Sequence, residues 1–379
     1  MSTIGYLTTT IFDFGAIKSL PIELEALGIR RPLLVTDAGV KTAGIAEQVL
    51  THLDRITALV FAGTPPNPTE EAVREGVLAY REGGCDGVIA LGGGSPIDLA
   101  KGVALAATHE GPLDQYAAIH NGVGKITAKV APVIAIPTTA GTGSEVGRGA
   151  LINLSNGSKL ALISPYLIPK RAICDPELTL GLPPLLTAAT GIDALTHCIE
   201  TFLSPLINPP AEAIALDGAQ RAWRFIQRAV TNGADREARW EMMMAALEGG
   251  LTFQKGLGTV HSLSHAAGAL RSPTLHHGML NGVFLPHILR FNAHSVGNKY
   301  EKLRDLFCIA RETDLATAVS GLVQSLKLPL TLGEMGFEAS HIPQTVVRAL
   351  ADHSNATAPR KASAEEFESL LRAALGQRS

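Results

Sequence analysis

Gly87-Val88-Ile89-Ala90-Leu91-Gly92-Gly93-Gly94-Ser95-Pro96 is the stretch that decides the fold. An apolar run with no polar alternation reads as a strand buried on both faces. It feeds three glycines, and a helical pattern follows from Pro96 to about Ala107. A helix after such a strand is a crossover, and a crossover means a parallel sheet. The same grammar recurs on either side. Pro32-Leu33-Leu34-Val35-Thr36 reads as a strand that stops at Asp37. Thr57-Ala58-Leu59-Val60-Phe61 reads as another and ends in the loop Gly63-Thr64-Pro65-Pro66-Asn67-Pro68. A helix is expected over 69–82, and a fourth strand over 132–136. Leu151-Ile152-Asn153-Leu154 and Lys159-Leu160-Ala161-Leu162-Ile163 bracket Asn156-Gly157, which predicts a β-hairpin.

Past Pro184 strand patterns nearly vanish. Segments such as 211–230 and 236–251 carry helical periodicity and few β-branched residues. The expectation is an α/β domain over 1–182, Rossmann-like with a parallel sheet, and an all-helical domain over 183–379.

The chain's 379 residues, 46% hydrophobic and 18% charged, are enough for two such domains. The formal net charge of -3 supplies no field to hold nucleic acid or an anionic membrane. No run of about 18 apolar residues is present, so no membrane span is expected. The N-terminus lacks a basic segment leading into an apolar one, so no signal peptide is expected. Cys85, Cys174, Cys198 and Cys308 are far apart in sequence, which excludes a CxxC motif and fits a reducing cytoplasm.

Three features point to a nucleotide. Gly92, Gly93, Gly94 and Ser95 let backbone N–H groups approach a phosphate at a helix N-terminus. The spacing of Ser95 and Asp98 also predicts a helix-capping pair. Thr138-Thr139-Ala140-Gly141-Thr142-Gly143-Ser144-Glu145 follows another strand and is rich in hydroxyls. Two such loops after parallel strands suit a dinucleotide better than a lone phosphate. Asp37, just past a strand, can accept from ribose hydroxyls and would repel a 2′-phosphate, which favours NAD.

The helical half carries a metal-ligand pattern. Asp193 and His197 are four apart, as are His261 and His265, so each pair shares a helix face. His276 and His277 follow. Three neutral imidazoles and a carboxylate would hold a divalent ion such as Fe2+ or Zn2+. His109, His120, His287 and His294 read as surface or capping residues, and Cys198 as core.

These segments, together with Asp175-Pro176-Glu177-Leu178 and the stretch from Thr190 to Glu200, resemble the iron-containing (group III) alcohol dehydrogenases, a group that includes lactaldehyde reductases. The match runs in order through most of the chain. It implies a dinucleotide domain, a helical metal and substrate domain, a cleft between them, and a homodimer. The implied metal ligands are Asp193, His197, His261 and His277, with iron expected and zinc the alternative. His265 is implied to move a proton. The implied cofactor contacts are Asp37, Asn67, Gly92, Gly93, Gly94, Ser95, Thr138, Thr139, Thr142, Lys159 and Leu178. The implied reaction is hydride transfer between NAD(H) and a small alcohol or aldehyde, in the cytoplasm. A hydroxyacid–oxoacid transhydrogenase on the same scaffold is the alternative. Gly147 stands where the family has threonine, and Ala358 where it has asparagine, so the substrate is left open.

Overall fold

The structure is a computed structural model that describes residues 8–53, 56–154, 159–270 and 272–376. They form two compact units, 8–182 and 183–376.

The first unit is built on a six-stranded parallel sheet. Its strands are β1 (Thr9–Phe12), β2 (Pro32–Val35), β3 (Leu59–Phe61), β4 (Gly87–Gly92), β5 (Val133–Pro137) and β8 (Arg171–Cys174), in the order β1-β8-β5-β4-β2-β3. The pair β6 (Gly149–Asn153) and β7 (Lys159–Ile163) forms the expected antiparallel hairpin. Its Asn156-Gly157 turn lies outside the described residues. The helices are α1 (Leu20–Ala26), α2 (Ala38–Thr42), α3 (Ile45–Leu50), α4 (Glu70–Glu82) and α5 (Gly94–Ala106).

Alternation along the strands sorts the core into two layers. Leu33, Val35, Val88, Ala90, Val133 and Ala135 pack with Val73 and Val77 of α4, Leu99 and Val103 of α5, and Ile152 of the hairpin. Leu34, Ile89, Leu91, Ile134 and Ile136 pack on the other face with Leu20 and Leu24 of α1 and Val49 of α3. Both faces being covered explains why β2, β4 and β5 are wholly buried. Strands β1 and β8 have no counterpart in the sequence reading. β1 is a sheet edge (Thr9-Thr10-Ile11-Phe12) without a continuous apolar run, and Arg171 opens β8.

The chain leaves β2 for β3 on one side and continues from β4 to β5 on the other. The order therefore reverses between β2 and β4, and open α/β sheets bind ligands beyond the strand ends at such a point.

The second unit is helical. It comprises α6 (Pro184–Leu203), α7 (Pro209–Thr231), α8 (Arg236–Leu251), α9 (Thr259–Gly268), α10 (His277–Asn292), α11 (Lys299–Leu306), α12 (Leu315–Ser325), α13 (Ile342–Ala351) and α14 (Ala364–Leu375), with short 3-10 turns. Helix α6 is its axis and is buried from Thr187 to Leu203. It packs against α7, α8 and α10. Gly278 allows the last of these contacts, because a Cβ there would stand 2.1 Å from the Ala189 carbonyl oxygen. Among the described residues, no helix is long and apolar enough to cross a membrane.

Candidate functional site

In the first unit Asp37 follows β2 and Gly92, Gly93, Gly94 and Ser95 follow β4, so these residues lie at the β2/β4 reversal. Gly92 ends β4 with φ 144°, a conformation that L side chains rarely adopt. Gly93 caps α5 with extended backbone, and no side chain serves as its cap. This corrects the expected Ser95–Asp98 capping pair. The Ser95 hydroxyl instead donates to the Pro66 carbonyl at 2.5 Å, tying the glycine loop to the loop that holds Asn67. Asp98 looks inward and accepts from the Ser144 hydroxyl at 2.6 Å and the Leu151 N–H at 3.0 Å. An offset of two residues explains the change: with Gly93 as cap, Ser95 is already inside the helix. The open N-terminus of α5 leaves its first N–H groups available to an anion.

The second loop lies directly against the first. The Thr138 N–H donates to the Gly92 carbonyl at 3.0 Å. A Cβ on Gly93 would meet the Thr139 side chain at 3.3 Å, and one on Gly94 would meet Thr142 at 2.8 Å. Buried Lys101 fixes the far end of that loop. Its ammonium donates to the Ser144 carbonyl and hydroxyl and to the Gly147 and Gly149 carbonyls at 2.7 to 2.9 Å. Burial pulls its pKa down to about 8, against the opposing charge of Asp98. Neighbouring Glu145 is also buried, which pushes its carboxyl up to about 7. Lys101 lies in α5, past the glycine motif, and nothing in the sequence marks it as a loop clamp.

Asp37 has a structural task that the sequence did not suggest. It is the N-cap of α2, and its Oδ1 accepts from the Val40 N–H at 2.9 Å. Its Oδ2 lies beside Gly92, 3.5 Å from where a Cβ would be. Leu178 is buried in the core with Ile136 and Ile173, so packing accounts for its side chain. Lys159 pairs with Asn153 at the start of β7, and its side chain lies outside the described residues.

In the second unit Asp193, His197, His261 and His277 come together, each offering one ligand atom within 4.8 Å of the others. Asp193 and His197 project from one face of α6, His261 from α9, and His277 from the first turn of α10. Asp193 Oδ1 stands 3.4 Å from His197 Nε2, 3.6 Å from His277 Nε2 and 3.8 Å from His261 Nε2. Bonds of about 2.0–2.2 Å to a tetrahedral ion separate neighbouring ligand atoms by about 3.3–3.6 Å. The spacings to His197 and His277 match those of a small divalent cation, and the 3.8 Å spacing to His261 is slightly wider.

Glu200 and Asn281 orient the cage. Glu200 Oε2 accepts from His261 Nδ1 at 2.6 Å, which leaves Nε2 as the bare nitrogen facing the centre. The same carboxylate accepts the N–H groups of Gly258 and Val260 at the start of α9. The Asn281 amide donates to Asp193 Oδ1 at 2.7 Å. Phe253 meets the His197 ring edge-on, with centroids 4.8 Å apart. Neither Glu200 nor Asn281 was singled out from sequence, although both obey the same helical arithmetic. Glu200 is three residues past His197, and Asn281 four past His277.

Burial alone would keep His261 neutral, but the carboxylates of Asp193 and Glu200 outweigh it and push its pKa up to about 9. Burial likewise opposes the charge on Asp193, and the facing imidazoles still hold its carboxyl well below the usual range. An ion in the cage would compete with that protonation for His261.

His265 lies next to the cage. Its ring stacks on His277 at 5.3 Å, and its Nδ1 donates to Asp352 Oδ2 at 3.0 Å. His276 caps α10 and stays out of the cage. Of the other histidines, His120 and His294 are exposed, His287 is partly buried, and His109 bridges Thr108 and Thr127. All four cysteines are free thiols, with Cys198 buried in α6.

Comparison with known proteins agrees with both halves. A family model described as iron-containing alcohol dehydrogenase matches residues 8–176, and one for the C-terminal region of the same family matches residues 187–375. The 4-hydroxybutyrate dehydrogenase of Cupriavidus necator is 51% identical, covering 98% of this chain and 99% of its own. The 1,3-propanediol dehydrogenase of Citrobacter freundii is 35% identical, covering 97% and 98%. The crystal structure of a 1,3-propanediol oxidoreductase superposes with a TM-score of 0.92 at 33% identity, covering 98% of this chain and 100% of that one. A sulfoacetaldehyde reductase from Bifidobacterium kashiwanohense, solved in complex with NAD+, gives 0.89 at 25% identity over the whole of both chains. The class is a metal-dependent, NAD-linked oxidoreductase of small alcohols. Within that class, the chain belongs to the iron-containing alcohol dehydrogenase family.

Proposed function

We propose that the chain is a cytoplasmic homodimer that interconverts 4-hydroxybutyrate and its aldehyde, moving a hydride to or from NAD. The convergence of Asp193, His197, His261 and His277 is the observation that carries the chemistry. The choice of substrate rests on the 51% identity to a 4-hydroxybutyrate dehydrogenase. Those four residues would hold the ion, iron in keeping with the family, with zinc admitted by the same donors.

A divalent ion in the cage supplies Lewis acidity toward an alcohol oxygen. The protein supplies the rest. Glu200 keeps His261 in the tautomer that faces the centre. Asn281 holds Asp193 in place. His265, anchored by Asp352, is the group beside the cage that can take the hydroxyl proton. The helix α5 N-terminus with Gly92, Gly93, Gly94 and Ser95 takes the pyrophosphate of the dinucleotide. Thr138, Thr139 and Thr142 line the neighbouring loop, and Asp37 Oδ2 faces the adenosine ribose. Asn67 sits in the loop that Ser95 holds, and Lys159 and Leu178 complete the family's set of cofactor contacts. The reaction balances as alcohol and NAD+ giving aldehyde, NADH and a proton.

The test is a substrate panel on metal-loaded protein, followed by nicotinamide absorbance. The highest kcat/KM is expected for 4-hydroxybutyrate, above 1,3-propanediol and methanol. A tenfold preference for 1,3-propanediol would overturn the substrate assignment. Turnover of an added oxoacid without added NAD would favour the transhydrogenase reading. No reduction of NAD+ by any alcohol would overturn the dehydrogenase itself.

A further inference from the structure

Helix α9 and the 3-10 turn His353–Thr357 bring a second group of ligand-type side chains together. His265, Asp352 and His353 each offer one donor atom within 4.8 Å of the other two. Asp352 lies between the two imidazoles. Its Oδ2 is 3.0 Å from His265 Nδ1, and its Oδ1 is 3.8 Å from His353 Nδ1. The two rings are nearly parallel, 18° apart, with centroids 5.8 Å from each other. Asp352 Oδ1 also accepts the Ser354 N–H at 2.8 Å, which pins the carboxylate.

The exposures are graded in a way that suits an ion arriving from solvent. The side chains of His265, Asp352 and His353 are 8%, 14% and 42% exposed. The carboxylate is thus largely desolvated, and its pull on a cation is weakly screened. His353 is the most exposed of the three.

We propose that His265, Asp352 and His353 form a second transition-metal site beside the first cage, and that an ion bound there inhibits the enzyme. Two imidazoles and a carboxylate are a zinc-type donor set, with water as the fourth ligand. Reaching the roughly 3.3–3.6 Å of a tetrahedral site requires the 3.0 Å His265–Asp352 contact to open slightly and His353 to move inward. The ion takes His265 Nδ1 in place of the proton now donated to Asp352, and that proton passes through solvent to Nε2, so the ring remains a neutral imidazole. His265 is then fixed as a ligand on one side and withdrawn from proton exchange. The inhibition rests on the role given to His265 above, whereas the binding does not.

The experiment is equilibrium dialysis of the metal-loaded enzyme against Zn2+, with bound metal per chain and NAD+ reduction rate read from the same samples. Wild type is expected to take up a second equivalent and to lose rate as it fills. His353→Ala is expected to bind the second equivalent at least tenfold more weakly. It should keep its basal rate within twofold, and lose the inhibition over the same zinc range. Asp193→Ala is expected to keep the second equivalent while losing the first, which separates this proposal from the functional reading. A single equivalent in wild type, or equal uptake by His353→Ala, would overturn the site. Uptake without loss of rate would overturn the inhibition.

Discussion

Asp37 joins two demands in one carboxylate. Oδ1 caps α2 through the Val40 N–H, and Oδ2 stands beside Gly92 at the strand-order reversal. Asparagine keeps a capping oxygen but drops the charge, so Asp37→Asn separates the two roles. We expect the ratio of kcat/KM for NAD+ over NADP+ to fall by about tenfold, corresponding to about 1.4 kcal/mol, with no loss of stability. An unchanged ratio would mean that Oδ2 does not face the ribose. At this scale the sequence was informative about ligands and poor about their supports. Asp193 and His197 stand out because metal-ligand residue types recur at helical spacing. Lys101 does not stand out, because its meaning depends on the carbonyls of Ser144, Gly147 and Gly149, which only folding brings to it. Asp352 is likewise silent, since its partner His265 is 87 residues away in the chain.

Elements deliver these residues, and two predictions belong to them. Helix α10 carries His277 to Asp193 only if it can sit against α6. Gly278→Ala would place a methyl 2.1 Å from the Ala189 carbonyl oxygen. The expected result is a loss of about 1–3 kcal/mol in urea unfolding, with weaker metal retention on dialysis. Unaltered metal affinity would show that the cage does not depend on this contact.

The second prediction concerns the α7–α8 contact. Arg221 serves Asp217, Glu241 and Glu248 at 2.8, 2.5 and 3.5 Å, one cation for three carboxyls. Burial first, then Asp217, pushes the Glu248 carboxyl from 4.5 up to about 9. A pKa raised by folding gives stability that is present below the unfolded value and lost as pH rises through the folded one. The cost therefore develops between pH 4.5 and about 9. Glu248→Gln mimics the protonated acid, so Tm should be unchanged near pH 4 and higher at pH 8, by roughly 2–4 °C for each kcal/mol recovered. A Tm gain that is equal at both pH values would contradict this.

The central strands, the hairpin and helices α4 to α8 were legible because burial on both faces leaves a continuous apolar run and burial on one face leaves a plain periodicity. The β1 and β8 strands were not, because short strands of mixed composition take their identity from the neighbours they pair with. The capping register at Ser95 was also misread. Glycine can cap a helix without leaving a side-chain signature, so the start of α5 was set two residues too late.

Across the whole molecule, each unit presents its own half of the chemistry. The glycine and threonine loops lie within the first unit, and the histidine cage lies within the second. A ligand that binds only the folded state stabilises what it binds. The central claim is that four side chains from α6, α9 and α10 hold the ion on which hydride transfer depends. Asp193→Ala tests it most directly, with metal per chain, NAD+ affinity and the rate of alcohol oxidation measured on one preparation. Metal and rate should fall together, each by about a hundredfold or more, while NAD+ still binds. An Asp193→Ala protein that keeps its full metal and its full rate would contradict the account.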